Sequence, residues 1–457
     1  LFHQSIEISL SALNIAGKRL HNDYIPAIIS NLSNIKLAII ARETLLLYDD
    51  EKVLNAVENE LNKKDINKDL IFGIVRCLSS YSHKKSLEML RFLLTNKDLE
   101  LSIQVSNSMM KIAKTSKLKN EFEAPYYEEI DYFSKQYLEM NMLSLNLNNT
   151  INPNHIREQI SSDKKKIVHI MLKLICLKIP ESPVDSHIKH IISKNDKDLP
   201  YILEFIDTSF EKRIRDIIIP IIDPEENFSK ESLKNKSIRI DNDSFLLDWI
   251  ESGNNWKISI ALDYILKNKN QIVNQIQWNK VPSSPIISEI LDSQGNLNNL
   301  IPIKKYKTKK EPTMFSILEK TMLLKTVDLF QDIPSELLSQ ISQISKAKDY
   351  ESGEVIFNEG DYGDSMFIVI EGEVSIQKNG KSIALLDKGS SLGEMALLDN
   401  ETRSADATAK VDSVLLKINQ DVFYELMEGN SDIMKQIIRL LTSRIRDANS
   451  KLEKTLG

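Results

Sequence analysis

The chain has only two cysteines among 457 residues, Cys77 and Cys176, and they lie far apart. Two such residues make no disulfide framework, so each is expected as a buried free thiol in an apolar helical pattern. No signal peptide is visible, and no apolar run reaches the ~18 residues that a membrane-spanning helix needs. Positive charge is not in excess: 59 Lys and Arg face 65 Asp and Glu, for a net charge of −6. A general nucleic-acid surface is normally basic, so that partner is not expected. The common catalytic signatures are missing too: no paired-histidine zinc motif, no phosphate-binding loop, no dinucleotide fingerprint and no nucleophile–base set. An enzyme is therefore not expected. His169, His187 and His190 invite a metal reading, but no cysteine or carboxylate set stands at zinc spacing, and packed or solvated helix is expected there. The chain begins at Leu1 rather than Met, as expected of a processed or cut product.

What the sequence does hold is a globular balance, 42% apolar and 27% charged. Its length suits two or three domains. Residues 1–312 read as helices. Pro26 suits the opening turn of a helix over 27–32, and Asp69 is expected to cap the helix carrying Leu70, Ile74 and Leu78. The clearest pair covers 84–95 and 99–114. Leu87, Leu90, Leu93 and Leu94 form one stripe, and Leu101, Val105, Met109 and Ile112 the other. Neither helix buries its face alone, so stacked pairs of a solenoid are expected, with an irregular helical domain as the alternative.

Tyr126, Tyr127, Tyr132, Phe133 and Tyr137 sit among acidic residues; packing between helices is expected of them ahead of a ligand groove. Residues 146–154 read as a polar loop and 167–177 as an apolar helix that Pro180 ends. Further on, an apolar segment over 245–250 precedes a small-residue turn, Trp256 and an Ile/Ala-rich segment. Trp256 is expected to fill the gap between two helices and Ala261 to let them approach. This pattern resembles HEAT-type repeats. The basic run 304–310 lies in a polar boundary over 295–313 and is expected as solvated linker rather than as a contact for phosphate groups or a membrane.

The most informative stretch is Leu392-Gly393-Glu394-Met395-Ala396, followed by a short turn and then Thr402-Arg403-Ser404-Ala405. Glycine lets a backbone come close to a ligand. A guanidinium fork and backbone N–H groups suit one negative phosphate, and a carboxylate suits a sugar hydroxyl. Upstream, Gly360 and Gly363 suit tight turns, Gly372 suits a strand junction, and Asn379-Gly380 reads as a hairpin turn. Together these residues resemble the phosphate cassette and first strands of cyclic-nucleotide-binding domains, the jelly roll of catabolite activator and protein kinase A regulatory proteins. The resemblance covers roughly residues 326–450. Leu392 stands where many members have Phe.

The fold implied is multidomain α + β: an N-terminal α-helical HEAT-like solenoid, residues 1–312, and a C-terminal β jelly roll with flanking helices, residues 313–457. This order also resembles the soluble C-terminal region of bacterial ATP/ADP translocase-like proteins. That likeness implies a membrane-associated, bacterial protein whose transporter portion lies upstream, with this chain on the cytoplasmic side. The cassette resemblance implies a sensor of cAMP or, less favoured, cGMP. Glu394 would accept from the ribose 2'-OH, Arg403 would pair with the phosphate, Ser404 would donate to it, and Gly393, Met395 and Ala396 would bring backbone to the ligand. Phe367, Val369 and Met395 are candidates for the apolar wall, the first two equally for core. Gln436, Arg439 and Arg446 lie on the closing helix. The alternative is a non-signalling scaffold with a vestigial pocket. Oligomeric state is not legible.

Overall fold

The structure, a computed structural model, describes residues 5–34, 36–63, 65–96, 98–115, 126–146, 154–193, 199–223, 242–268, 270–293, 315–327, 330–331, 333–393, 402–429, 434, 438 and 442. The chain divides into two compact units, residues 1–149 with 160–240 and residues 150–159 with 241–457. Its architecture is α + β, helix-rich toward the N-terminus and mixed β/α toward the C-terminus.

Among its described residues, the regular elements of the first unit are all helices. The expected pair is present as the helices Lys84–Leu94 and Leu99–Thr115. All eight stripe residues named above are buried. Each fully buried Leu or Val contributes about 1.5–3 kcal/mol over leaving it in water. Polar side chains set the ends. The Nδ1 atom of His83 accepts from the Lys85 amide at 3.1 Å, and Asp98 accepts from the Glu100 amide at 3.0 Å. The cap of Lys68–Leu78 is Asn67 rather than Asp69: its Oδ1 accepts from the Asp69 amide at 2.7 Å. Asn and Asp cap comparably, so the residue just outside the first turn takes the role. In that helix Gly73 lies against the Leu32 backbone, and an added Cβ would overlap the Leu32 carbonyl.

Two long helices depart from expectation. The segment expected to become helical only at 167 is helical from Asn154 to Cys176. Ile156, Ile160, Ile167, Ile170 and Leu174 are buried at spacings of three, four or seven, but Lys164, Lys165 and Lys166 between them hide the stripe in the sequence. The aromatic cluster falls on or just before Tyr127–Asn146, and Tyr126, Phe133 and Tyr137 are buried. Cys77 and Cys176 are free and buried, and burial pushes each thiol up to about 12.

In the second unit, the helices Asn242–Ile250 and Asn255–Asn268 flank a turn in which the Asn254 side chain accepts from the Lys257 amide at 3.0 Å. Trp256 and Ala261 are buried there. Beyond them come two four-stranded antiparallel sheets. One has the order β1 (Lys346–Tyr350), β8 (Ser413–Asn419), β3 (Ser365–Glu371), β6 (Ser391–Leu392). The other has the order β2 (Val355–Phe357), β7 (Asp406–Ala409), β4 (Val374–Lys378), β5 (Lys381–Leu386). Asn379 and Gly380, both at positive φ, make the expected hairpin turn between β4 and β5.

The burial of β3 explains its sequence. Side chains alternate across a strand. Phe367 and Val369 enter an apolar cluster with Val374, Ala407 and Ala409 of the other sheet. Met366, Ile368 and Ile370 enter a second cluster with Leu324, Phe330, Leu338, Phe423 and Met427. Those partners lie on or near the helices Ile317–Thr326, Ser335–Ile344 and Gln420–Gly429. With both faces covered, the strand reads as one continuous apolar run. The basic run 304–310 and Gln436, Arg439 and Arg446 lie outside the described residues.

Candidate functional site

Strand β6 ends at Leu392, and Gly393 follows with φ +73°. That left-handed conformation favours glycine, and here the missing side chain matters as well: an added Cβ would overlap Nη1 of Arg403. The chain then returns along the loop over 358–362. Thr402 bridges to Tyr362. The Arg403 amide donates to the Asp361 carbonyl at 2.8 Å, and the Gly360 amide donates to the Arg403 carbonyl at 2.8 Å. Pinned on both sides, residues 402–405 alternate as a strand does. Thr402 and Ser404 are exposed, while Arg403 and Ala405 point inward.

Arg403 is 7% exposed, an unusual place for a cation. Its Nη2 donates to the Ser365 carbonyl at 2.7 Å, and its Nη1 to the Gly393 carbonyl at 3.4 Å. Its guanidinium lies 4.2 Å from the Phe357 ring centroid and 5.9 Å from that of Phe367. Its Nε is buried with no hydrogen-bond partner among the described residues. No carboxylate among those residues pairs with it. Burial pushes its pKa down, opposed by the more distant charges of Asp364 and Asp361. Buried charges are ordinarily paired. Among the described residues this one is held by carbonyls and rings, with no carboxylate against it.

The guanidinium borders a cavity of about 190 Å³. Phe357, Ile376, Leu386 and Leu392 form its apolar side; Gly393, Thr402, Arg403 and Ser404 form its polar side. Of the residues singled out in the sequence, Gly393, Arg403 and Ser404 thus share one cavity. Glu394, Met395 and Ala396 lie outside the described residues. Phe367 and Val369 belong to the core between the sheets rather than to the cavity wall. The wall residues Phe357 and Leu386 have no signal of their own in the sequence, because each sits in a short apolar run whose inward and outward positions look alike, whereas Ile376 stands between Ser375 and Gln377 in an alternating strand. Thr402 does have one, a second hydroxyl beside the arginine. Among the described residues no group of three or more His, Cys, Asp or Glu is placed to hold a metal ion.

Residues 347–430 match the family described as Cyclic nucleotide-binding domain. Over 198 residues the chain is 26% identical to a cGMP-dependent protein kinase of Plasmodium berghei, covering 43% of this chain and 21% of that protein. Over 121 residues it is 28% identical to a cAMP-dependent protein kinase regulatory subunit of Schizosaccharomyces pombe, covering 26% of this chain and 28% of that one. Over 135 residues it is 29% identical to the cyclic AMP receptor protein of Thermus thermophilus, covering 28% of this chain and 62% of that protein. The chain therefore spans less than two thirds of each of these relatives. Its C-terminal region carries a cyclic nucleotide-binding domain related to those of receptor and kinase-regulatory proteins. The expectation of a membrane-associated chain is corrected: no helix among the described residues is long and apolar enough to cross a membrane.

Proposed function

We propose that this chain is a cyclic-nucleotide sensor that binds its ligand without transforming it. The observation that carries the reading is Arg403, a buried cation with no carboxylate among the described residues, facing a cavity beside an exposed hydroxyl. A singly charged cyclic phosphate supplies the missing counter-charge through charge-assisted hydrogen bonds. Ser404 donates to the same phosphate, and Gly393 lets the backbone approach. In this reading Glu394 accepts from the ribose 2'-OH, and the Met395 and Ala396 amides add donors. The cavity takes the phosphate and sugar, with the base toward its opening.

The preferred ligand is cAMP. The apolar residues Ile376 and Leu386 offer a base no donor or acceptor pattern, and adenine tolerates such a wall better than guanine, whose N1 and amino donors need acceptors. The relatives' names include both cAMP and cGMP, so their names do not choose. Binding shifts the helices that follow the sheets, and the N-terminal helix pairs, read as HEAT-like, receive that shift. Such coupling requires the two helix arrangements to differ in ligand affinity. The setting proposed is cytoplasmic.

Calorimetry of the chain with cAMP and with cGMP tests this. Heat of binding with unchanged nucleotide recovered afterwards is expected. No heat and no thermal shift at about millimolar ligand, where even a ~4 kcal/mol interaction registers, would sink the sensor and favour a scaffold with a vestigial pocket.

A further inference from the structure

We propose that Phe357 is a positioning residue for the anion site: its ring holds Arg403 in the cavity without neutralising it. The inference rests on the cyclic-nucleotide reading for its ligand, but the placement it describes belongs to the unliganded chain.

A buried guanidinium must be held by something. A carboxylate would hold it firmly and would also cancel the charge that an incoming phosphate needs. An aromatic face attracts a cation through its quadrupole and carries no net charge. Guanidinium is suited to this because it is planar and weakly hydrated. The two modes of contact use different parts of the group. Stacking occupies the face, whereas hydrogen bonds leave from the edge. The Arg403 Cζ lies over the Phe357 ring, 4.2 Å from its centroid. Two edge N–H groups go to the Ser365 and Gly393 carbonyls, and buried Nε has no partner among the described residues. An anion that engages the edge need not displace the ring.

The fold aims the ring at this point. Val355 pairs with Thr408 and Phe357 with Ala407, with a register shift between them. Such irregularities re-aim a side chain. Phe357 is half-buried, lines the cavity and lies 6.1 Å from Phe367. Phe367, the more distant of the two rings from Arg403, belongs to the core between the sheets. Phe357 is thus the ring that can be changed with the least disturbance of the core.

The test compares Phe357→Leu, which keeps an apolar side chain and removes the π face, with Phe357→Tyr, which keeps the face. Two measurements are made on the full chain. In the unliganded protein, NMR of labelled arginine is expected to show Arg403 side-chain protons shifted upfield by the ring. That shift should be lost in the Leu variant and kept in the Tyr variant. In binding, cAMP affinity should fall about three- to tenfold for Leu and stay within about twofold for Tyr. The Leu change should add nothing once Arg403→Ala is present. If the Leu variant does not fold, Phe357→Met takes its place. An unshifted Arg403 in the wild type overturns the proposal, as does an undiminished affinity of the Leu variant or an equal loss without Arg403. Should the wild type bind neither cAMP nor cGMP, the sensor reading falls, and the upfield shift alone decides where Phe357 holds the arginine.

Discussion

Arg91, exposed in the helical unit, and Arg403, buried beside the sheets, both lie over an aromatic ring, and they differ in burial and in partners. Arg91 lies 5.1 Å from the Tyr126 ring and donates through Nε and Nη2 to both carboxylate oxygens of buried Glu129. Those hydrogen bonds raise its pKa. Arg403 has the ring but no carboxylate among the described residues, and burial lowers its pKa. The same side chain is finished in one place and left open in the other. A fork closed on a carboxylate is structural, because nothing is left to bind. A fork held by carbonyls and rings keeps its charge, which is what a site for an anion requires.

The sharpest way to break this contrast is to delete each arginine. Arg91→Ala leaves Glu129, 5% exposed, without its cation. A loss of about 2–3 kcal/mol in stability is expected, read by denaturant unfolding. Arg403→Ala removes a buried charge that no described carboxylate answers, so stability should change by less than about 1 kcal/mol. If Arg403→Ala destabilises as much as Arg91→Ala does, Arg403 is structural too and the contrast fails. Ligand affinity should show the reverse. A charge-assisted bond is worth about 1.5–3 kcal/mol and ~1.4 kcal/mol is tenfold. Arg403→Ala should therefore weaken cyclic-nucleotide binding about ten- to a hundredfold or more in titration calorimetry, and Arg91→Ala should leave it unchanged.

The helical unit was legible where its apolar stripes stood clear, as in 84–94 and 99–115, and illegible where charge interrupted them, as at Lys164–Lys166 in the helix from Asn154. The sheets were legible through the Asn379-Gly380 turn, while the covering of both faces of β3 became plain only from its two apolar clusters. At the site, Gly393, Arg403 and Ser404 stood out because their types and order are chemically unlike. Phe357 did not. Its contact with Arg403 depends on a register shift between β2 and β7, which no local pattern announces. Contacts that one segment makes with its own neighbours can be read in advance; those made where distant strands meet cannot.

Acid sharpens the same comparison. Burial tends to raise the pKa of Asp185 in the helical unit, but hydrogen bonds from Lys114 and Lys173, both at 2.5 Å, outweigh it and hold the carboxyl below its ordinary value. A carboxyl depressed in the folded state contributes stability above its unfolded pKa of ~3.9, and loses it as pH falls through the folded value. Acid unfolding followed by circular dichroism should therefore show a stability loss below about pH 4 that is smaller in Asp185→Asn. An identical acid profile for the variant would remove Asp185 from the account.

The smallest expected effect separates the two hydroxyls beside Arg403. Thr402 and Ser404 are both exposed, both border the cavity, and they flank the arginine in sequence. Only Ser404 is assigned a bond to the phosphate. A neutral hydrogen bond is worth about 0.5–1.5 kcal/mol, so Ser404→Ala should weaken cAMP binding about two- to tenfold. Thr402→Val keeps the shape and should change affinity by less than about twofold. Neither change should alter stability, since neither side chain is buried. If Thr402→Val proves the costlier of the two, the phosphate sits on the other side of the arginine and the roles exchange. If Ser404→Ala abolishes a preference for cGMP instead, that serine reads the base, and the assignment of cAMP as the preferred ligand is wrong.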